Sequence, residues 1–234
     1  IEQFNQGKFR EALKTFETVL GIFRQIGDRK GEATVINNIG QVYHKLGEHS
    51  KALEYYQQVL LIARAIGDRT AEATVINNIG QVYNQLGQYS KALEYLEQAL
   101  IIIRKTRSKS EMLERIRGRT YRRFGGISRE ATIRTIRKYL RNVSTLNIYS
   151  RINKLTPDDI DTSLTKEGTI ILTESRVLYN IGQTYYNIGE YDKALGYFQQ
   201  AFYIAKKNQI SKVIEENIAD IQDNIAVIYL HQGE

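Results

Sequence analysis

Two adjacent asparagines stand at the centre of a twelve-residue stretch, EATVINNIGQVY, which occurs twice, at 32–43 and at 72–83. An asparagine side chain carries two N–H donors and one carbonyl acceptor, so it can hold the backbone of an extended peptide whatever the sequence of that peptide. The same groups can instead bond to a neighbouring element of the fold. Because asparagine is a poor helix former, its repeated use inside an apolar run indicates one of these two roles.

Residues that could act as nucleophiles or metal ligands are few. The chain has no cysteine, which removes thiolate nucleophiles and cysteine-type zinc sites together. Its histidines are His44, His49 and His231. The first two lie five positions apart across an expected helix boundary, so they share no helical face and match no metal-ligand spacing. We therefore expect no metal site.

Two further motifs are weak candidates for chemistry. Asp158, Asp159 and Asp161 follow Pro157, but acidic residues in such a place more often cap a helix or face water than hold a cation. FGGIS at 124–128 lacks the lysine and the preceding strand of a phosphate-binding loop. Neither motif completes a catalytic constellation, and the sequence predicts no enzyme and no cofactor.

The duplicated stretch belongs to a longer internal repeat, because residues 32–60 and 72–100 agree at 22 of 29 positions. A glycine followed five positions later by Ala-Leu occurs at Gly7, Gly47, Gly87 and Gly189. The apolar spacing on both sides of these glycines is helical. Each unit is therefore predicted to be two antiparallel helices, with the glycine at positive φ closing the first helix.

The turn between successive units has its own signal, IGDR, at 26–29 and again at 66–69. It ends the second helix of one unit and starts the first helix of the next. We expect Asp28 and Asp68 to satisfy free backbone amides at these turns, as N-cap residues do.

These residues resemble the tetratricopeptide repeat family, whose pattern is a large apolar residue, a small one, a tyrosine, an alanine, an aromatic and another small residue. The pattern is met by Ile39, Gly40, Tyr43, Ala52, Tyr56 and Val59; by Ile79, Gly80, Tyr83, Ala92, Leu96 and Ala99; and by Ile181, Gly182, Tyr185, Ala194, Phe198 and Ala201. The period of 40 departs from the family's usual length of about 34, and the family's first-helix tryptophan and closing proline are absent. Forty-residue repeats with GDR turns are similar to those of Pins-type polarity adaptors and large bacterial repeat proteins.

The resemblance implies an all-α fold, a right-handed superhelical solenoid of antiparallel helix pairs with a concave inner surface. It also places candidate partner-binding side chains on or near that surface. These are Asn37, Asn38, Gln41, Asn77, Asn78, Gln81, Asn180, Gln183 and Asn224. The alternative is that one asparagine of each pair bonds to a neighbouring repeat, and both roles can hold.

A basic segment interrupts the pattern. Between Arg104 and Arg151 there are 15 Lys or Arg and three Glu, a net charge of +12, which leaves −5 for the rest of a chain whose formal charge is +7. YRRFGGISRE at 121–130 aligns with YNQLGQYSKA at 83–92. We therefore interpret 110–141 as a degenerate basic repeat, with an unrelated insert as the alternative.

In that register four arginines fall at groove positions: Arg115, Arg119, Arg122 and Arg123. Guanidinium groups bind carboxylates and phosphates in a bidentate manner, so the expected partner is a protein or peptide, acidic or phosphorylated. An ordinary solvated basic face is one alternative. Nucleic acid is another, and it is less favoured because single-strand binding usually adds aromatic stacking platforms, which are few here.

The composition is consistent with this interpretation. One proline and 42% apolar residues favour helices over a many-stranded fold, and no apolar run is long enough to span a bilayer. We expect a cytoplasmic, non-catalytic protein–protein interaction scaffold that is part of a larger protein and has no membrane partner. The alternative function is nucleic-acid binding through 104–151.

The expected organisation has four segments: repeats over 1–109 with the first truncated, the degenerate repeat over 110–141, a connecting excursion over 142–172, and repeats over 173–234 with the last truncated. Helices are expected near 8–26, 32–46, 50–66, 72–86, 90–106, 111–124, 128–141, 174–188, 192–207 and 212–231.

Overall fold

The computed structural model describes residues 9–123, 163–208, 224 and 227, with side chains for 9–111, 168–205, 224 and 227. Seven α-helices make up the two long described ranges. They are α1 (Phe9–Ile26), α2 (Arg29–Lys45), α3 (His49–Ile66), α4 (Arg69–Gln85), α5 (Tyr89–Arg123), α6 (Ser163–Ile188) and α7 (Tyr191–Asn208). The predicted all-α fold class is confirmed for this part of the chain.

The helices form three antiparallel pairs, α2 with α3, α4 with α5, and α6 with α7. We call the first helix of each pair its A helix and the second its B helix; α1 is a B helix. Each pair turns at a glycine with positive φ, namely Gly47 (75°), Gly87 (70°) and Gly189 (91°). Residues that carry a side chain rarely adopt this backbone conformation. The prediction that these three glycines close the first helix of each pair at positive φ is therefore confirmed. Gly7 lies outside the described residues.

The IGDR turn joins α1 to the first pair and the first pair to the second. Gly67 ends α3 with φ of 71°, and the Asp68 carboxylate accepts a hydrogen bond from the backbone N–H of Ala71. Asp28 accepts in the same way from the amides of Lys30 and Gly31 at the start of α2. Both aspartates therefore act as N-caps, as the sequence predicted.

Within each pair the two helices approach closely at a glycine of the A helix. A Cβ atom added to Gly40 would lie 2.7 Å from the ring of Tyr56. Gly80 meets Leu96 and Gly182 meets Phe198 at 2.8 Å in the same way. A larger side chain would push the helices apart, so these positions fix the packing of each pair.

The repeated tyrosines of the family pattern are half-buried. Tyr43 stacks on Tyr55 with ring centroids 5.3 Å apart, and the Lys51 ammonium lies 5.1 Å from the centre of the Tyr43 ring. Tyr83 and Tyr185 have the same arrangement in the other two pairs. Because a stacked pair with a cation over it needs an open face for the ammonium, these rings stay partly exposed.

The chain divides into two compact units. We call the first, Ile1–Arg104 with Ile171–Glu234, the stack, and the second, Lys105–Ile170, the insert. Within the stack, hydrogen bonds join consecutive A helices across the point where the insert leaves. Asn78 donates to Asn37, 41 positions earlier, and Asn180 donates to Asn77, 103 positions earlier. The third pair therefore follows the second directly in the stack.

A repeated ion pair gives the same register. Arg64 bonds to Glu72 eight positions later, whereas Arg104 bonds to Glu174 seventy positions later. Both the asparagine bond and the ion pair span 62 more residues at this junction than at the preceding one. The stack thus keeps its forty-residue register, with 62 additional residues between its second and third pairs.

The prediction of separate helices at 90–106 and 111–124 is wrong, because α5 runs without a break to Arg123. Arg107 and Ser108 stand forty positions after Gly67 and Asp68, so both the positive-φ glycine and the capping aspartate are missing. An ion pair between Arg107 and Glu111 lies where the break was expected. Without a stop signal the helix continues.

The third A helix also differs from the prediction, since it begins at Ser163 rather than near 174. Its first residues belong to the expected excursion over 142–172. The predicted helices at 128–141 and 212–231 lie outside the described residues, apart from Asn224 and Val227, which are helical. The degenerate repeat over 110–141 stays a prediction, and the direct contact of the pairs on either side favours the alternative, an insert.

Excision of the insert tests this register. Replacing 107–171 with Gly-Asp-Arg returns the spacing from Arg104 to Glu174 to eight positions, and we expect helical content per residue and cooperative urea unfolding to be retained, as measured by circular dichroism. A matched variant with two extra alanines after the new turn rotates the next helix by about 200° and should unfold at lower urea. Equal stability of the two variants would contradict a fixed register.

Candidate functional site

Several of the amide side chains singled out by the sequence form hydrogen bonds that join one A helix to the next. Asn78 Nδ2 donates to Asn37 Oδ1 at 2.9 Å, and Asn180 Nδ2 donates to Asn77 Oδ1 at 2.8 Å. Asn224 Nδ2 donates to the Tyr179 hydroxyl at 3.2 Å. We call this series of bonds the amide ladder.

Burial separates the candidate residues into two groups. Asn77, Asn78 and Asn180 are buried, with 1, 6 and 6% of their surface exposed. The half-buried group is Asn37, Asn38, Gln41, Gln81, Gln183 and Asn224. Polar groups hidden from water need partners, so the bonds of the amide ladder explain why a poor helix former is tolerated at the centre of these A helices. Contact of either group with a ligand stays a proposal.

The glutamines lie at one position of the three A helices, one turn after the first asparagine position. Gln81 Nε2 donates to Asn180 Oδ1 at 3.1 Å and thereby supports the amide ladder. Gln183 donates to Asn187, and Asn187 donates to Asn84 in the preceding pair. We call Gln41, Gln81 and Gln183 the glutamine row. The roles of Asn84, Asn187 and Tyr179 were missed from the sequence, although all three stand at repeat positions.

The four candidate arginines, Arg115, Arg119, Arg122 and Arg123, are in the last part of α5. The backbone there is helical, but their side chains lie outside the described residues. Their predicted place at the groove therefore stays a prediction.

Buried glutamates held by arginines recur at the junctions and were not foreseen. Glu72 is 3% exposed and accepts from both Arg64 and Arg69. Burial alone would raise the pKa of Glu72, but the hydrogen bonds and the charges of the two arginines together outweigh it and lower the pKa. Glu32 is held in the same way by Arg24 and Arg29. The forty-residue spacing of Arg24, Arg64 and Arg104 was the signal that could have revealed them.

The structure brings together two histidines that the sequence analysis had assigned to different helical faces. The rings of His44 and His49 meet edge to face, with centroids 5.9 Å apart, across the turn between α2 and α3. Their buried Nδ1 atoms have no hydrogen-bond partner among the described residues. Burial, followed by the charges of His49 and Lys45, lowers the pKa of His44. The folded chain therefore favours the neutral form of His44.

The described residues contain no group of three or more histidine, cysteine, aspartate or glutamate side chains arranged to hold a metal ion. None of the helices in the same residues is both long and apolar enough to cross a bilayer.

Stacked antiparallel helix pairs, with a regular contact between successive A helices, define a helical repeat protein. A tetratricopeptide repeat family model matches residues 3–65 and 33–105, and a second matches 175–208. Together they cover more than half of the chain, which therefore belongs to the tetratricopeptide repeat family. Residues 106–174 lie outside these matches. No curated protein sequence matches the chain.

Solved structures with a similar fold are distant in sequence. BtubC (BKLC) from P. vanneervenii is 17% identical, with 89% of this chain and 78% of that chain covered and a TM-score of 0.40. A putative kinesin light chain from Podospora anserina with nearly identical TPR-like repeats is 16% identical, with coverage of 90% and 93% and a TM-score of 0.41. A STAND signal transduction ATPase with a tetratricopeptide repeat sensor from Pyrococcus horikoshii is 22% identical, with coverage of 88% and 30% and a TM-score of 0.40.

The amide ladder predicts a graded effect of asparagine removal on stability. Asn180→Ala leaves the buried acceptor of Asn77 unpaired and should lower the free energy of unfolding by about 1–3 kcal/mol. Asn187→Ala is the matched control, because it removes an amide bond between the same two A helices at an exposed place. Urea unfolding that ranks Asn187→Ala as the more damaging change would contradict the structural role of the ladder.

The histidine pair predicts a pH dependence of stability. Because the pKa of folded His44 lies below its ordinary 6.5, the neutral form is favoured on folding, and its contribution is present above pH 6.5 and lost as the pH falls through the lowered pKa. The loss is at most about 1.4 kcal/mol per pH unit.

The second pair supplies the matched control, since Asn84 and Tyr89 stand where the first has His44 and His49. His44→Asn with His49→Tyr should flatten the stability profile measured by urea unfolding between about pH 5.5 and 8. An unchanged slope in the double variant would show that the pair is not the cause.

Proposed function

We propose that this chain is a non-catalytic scaffold that binds a peptide or helix of a partner protein along its A helices. Tetratricopeptide repeats generally mediate protein–protein interactions, and the proteins that contain them are generally non-catalytic scaffolds. The observation that carries the proposal is the glutamine row, three half-buried amides at one position of consecutive A helices.

The geometry supports a division of roles between the two kinds of amide. The buried asparagines hold the pairs in register through the amide ladder. The glutamines remain partly accessible, and Gln41 makes no hydrogen bond with another described residue. Each glutamine amide can both donate and accept, so the row suits the backbone of an extended segment. Asn37, Asn38 and Asn224, also half-buried, extend the proposed contact surface.

The preference that we propose for an acidic or phosphorylated partner rests on the basic segment. Arg115, Arg119, Arg122 and Arg123 lie within it, and guanidinium groups bind carboxylates and phosphates in preference to neutral groups. This part of the proposal is independent of the glutamine row, because the two sets of residues belong to different compact units.

A peptide selection tests the proposal. Peptides selected from a phage-displayed library on the immobilised chain are synthesised, and their affinities are measured by calorimetry. Gln41→Ala should weaken each selected peptide by about 1 kcal/mol, or about fivefold, for one lost hydrogen bond. Gln57→Ala, an exposed glutamine of a B helix, is the control and should have no effect.

The arginines are tested separately. Replacing Arg119 and Arg122 with alanine should weaken the binding of acidic peptides more than that of neutral ones and reduce the dependence of binding on salt.

Equal effects of Gln41→Ala and Gln57→Ala on peptide affinity would overturn the role of the glutamine row. If single-stranded oligonucleotides bind with a steep salt dependence and no peptide is selected, the chain is a nucleic-acid-binding module instead.

A further inference from the structure

Three large apolar side chains are exposed at one position of the B helices α3, α5 and α7. Leu61, Ile101 and Tyr203 have 69, 55 and 63% of their surface exposed. Each stands two residues after a buried core residue, namely Val59, Ala99 and Ala201. Two residues correspond to about 200° around a helix, so the three side chains lie on the face turned away from the core. We call them the outer row.

Two of the three helices that carry the outer row are joined directly by a hydrogen bond. Arg104 Nη2 donates to Gln200 Oε1 at 3.4 Å, which joins α5 to α7 one turn away from Ile101 and Tyr203. The bond from Asn78 to Asn37 places the second pair beside the first. Single exposed apolar residues are normal on a protein surface, whereas large apolar side chains that recur on one face of successive helices are a candidate interaction site.

Charges of opposite sign flank the outer row. On its N-terminal side, two turns back along α3 and α5, stand the exposed carboxylates of Glu54 and Glu94. On its C-terminal side, one turn on, stand Arg64 and Arg104, whose side chains are 49% exposed although they also bind buried glutamates. At α3 and α5, carboxylates therefore stand on one side of the apolar line and guanidinium groups on the other.

We propose that the outer row is an interface between two copies of this chain, related by a twofold axis that runs along the row. A twofold contact joins the same patch of both copies. With the axis along the row, each apolar residue meets its own counterpart, and the acidic side of one copy faces the basic side of the other. An axis along the helices would place carboxylate against carboxylate, so the charges select the first arrangement.

The interface is small, since three side chains on each copy bury less than the surface of a standard stable complex. The dimer is therefore weak and reversible, and it forms only at higher protein concentration. The proposal does not depend on the glutamine row, because the outer row lies on the B helices.

Sedimentation equilibrium of the whole chain tests the interface. The weight-average mass should rise from 27.0 kDa towards twice that value with increasing concentration. Ile101→Glu and Ile101→Lys each bring like charges together at the axis, so each should weaken association by about tenfold or more. An equimolar mixture of the two variants should associate again, because glutamate then meets lysine.

Leu86→Glu is the control, since Leu86 is an exposed apolar residue (41%) at the end of an A helix, outside the outer row. It should associate like the unchanged chain. The interface is refuted if the unchanged chain stays at 27.0 kDa at every concentration, or if Ile101→Glu and Leu86→Glu behave alike. A mixture of the Ile101 variants that stays monomeric refutes the twofold arrangement.

Discussion

The buried hydrogen bond between asparagine side chains of successive A helices is the interaction on which the stack depends. Asn180 and Asn77 are both almost fully removed from water, and the Nδ2 of Asn180 donates to the Oδ1 of Asn77. One such bond contributes only about 1 kcal/mol, but a buried amide without its partner costs more. The bond therefore chiefly fixes the register of one helix pair against the next. Any shift between the pairs would leave polar groups without partners in an apolar contact.

The same constraint explains how the stack accommodates the insert. The ion pair of Arg104 with Glu174 and the bond of Asn180 with Asn77 reproduce across the insert what Arg64 with Glu72 and Asn78 with Asn37 do without one. Repeat proteins are stabilised mainly by contacts between neighbouring units. An interruption of the chain is tolerated wherever those contacts are kept.

Much of the fold could be predicted from the sequence, because the glycines and aspartates that form its turns can be recognised there. Gly47 and Gly87 adopt positive φ, and Asp28 and Asp68 cap helices, as expected. The length of α5 was mispredicted where Arg107 replaces the turn glycine, since a local alignment suggested a repeat there. Which helix pairs are neighbours in the stack depends on contacts distant in sequence, so Asn180 could not be assigned to Asn77 from spacing alone.

Continuity of the stack across the insert is the central claim, and distances between spin labels test it most directly. The chain has no cysteine of its own, and Lys45, Gln85 and Asn187 occupy the same exposed position of the three A helices. Pulsed electron resonance on Lys45→Cys/Gln85→Cys and on Gln85→Cys/Asn187→Cys should give matching narrow distance distributions. A longer or much broader distribution for the second pair would contradict direct contact between the second and third helix pairs.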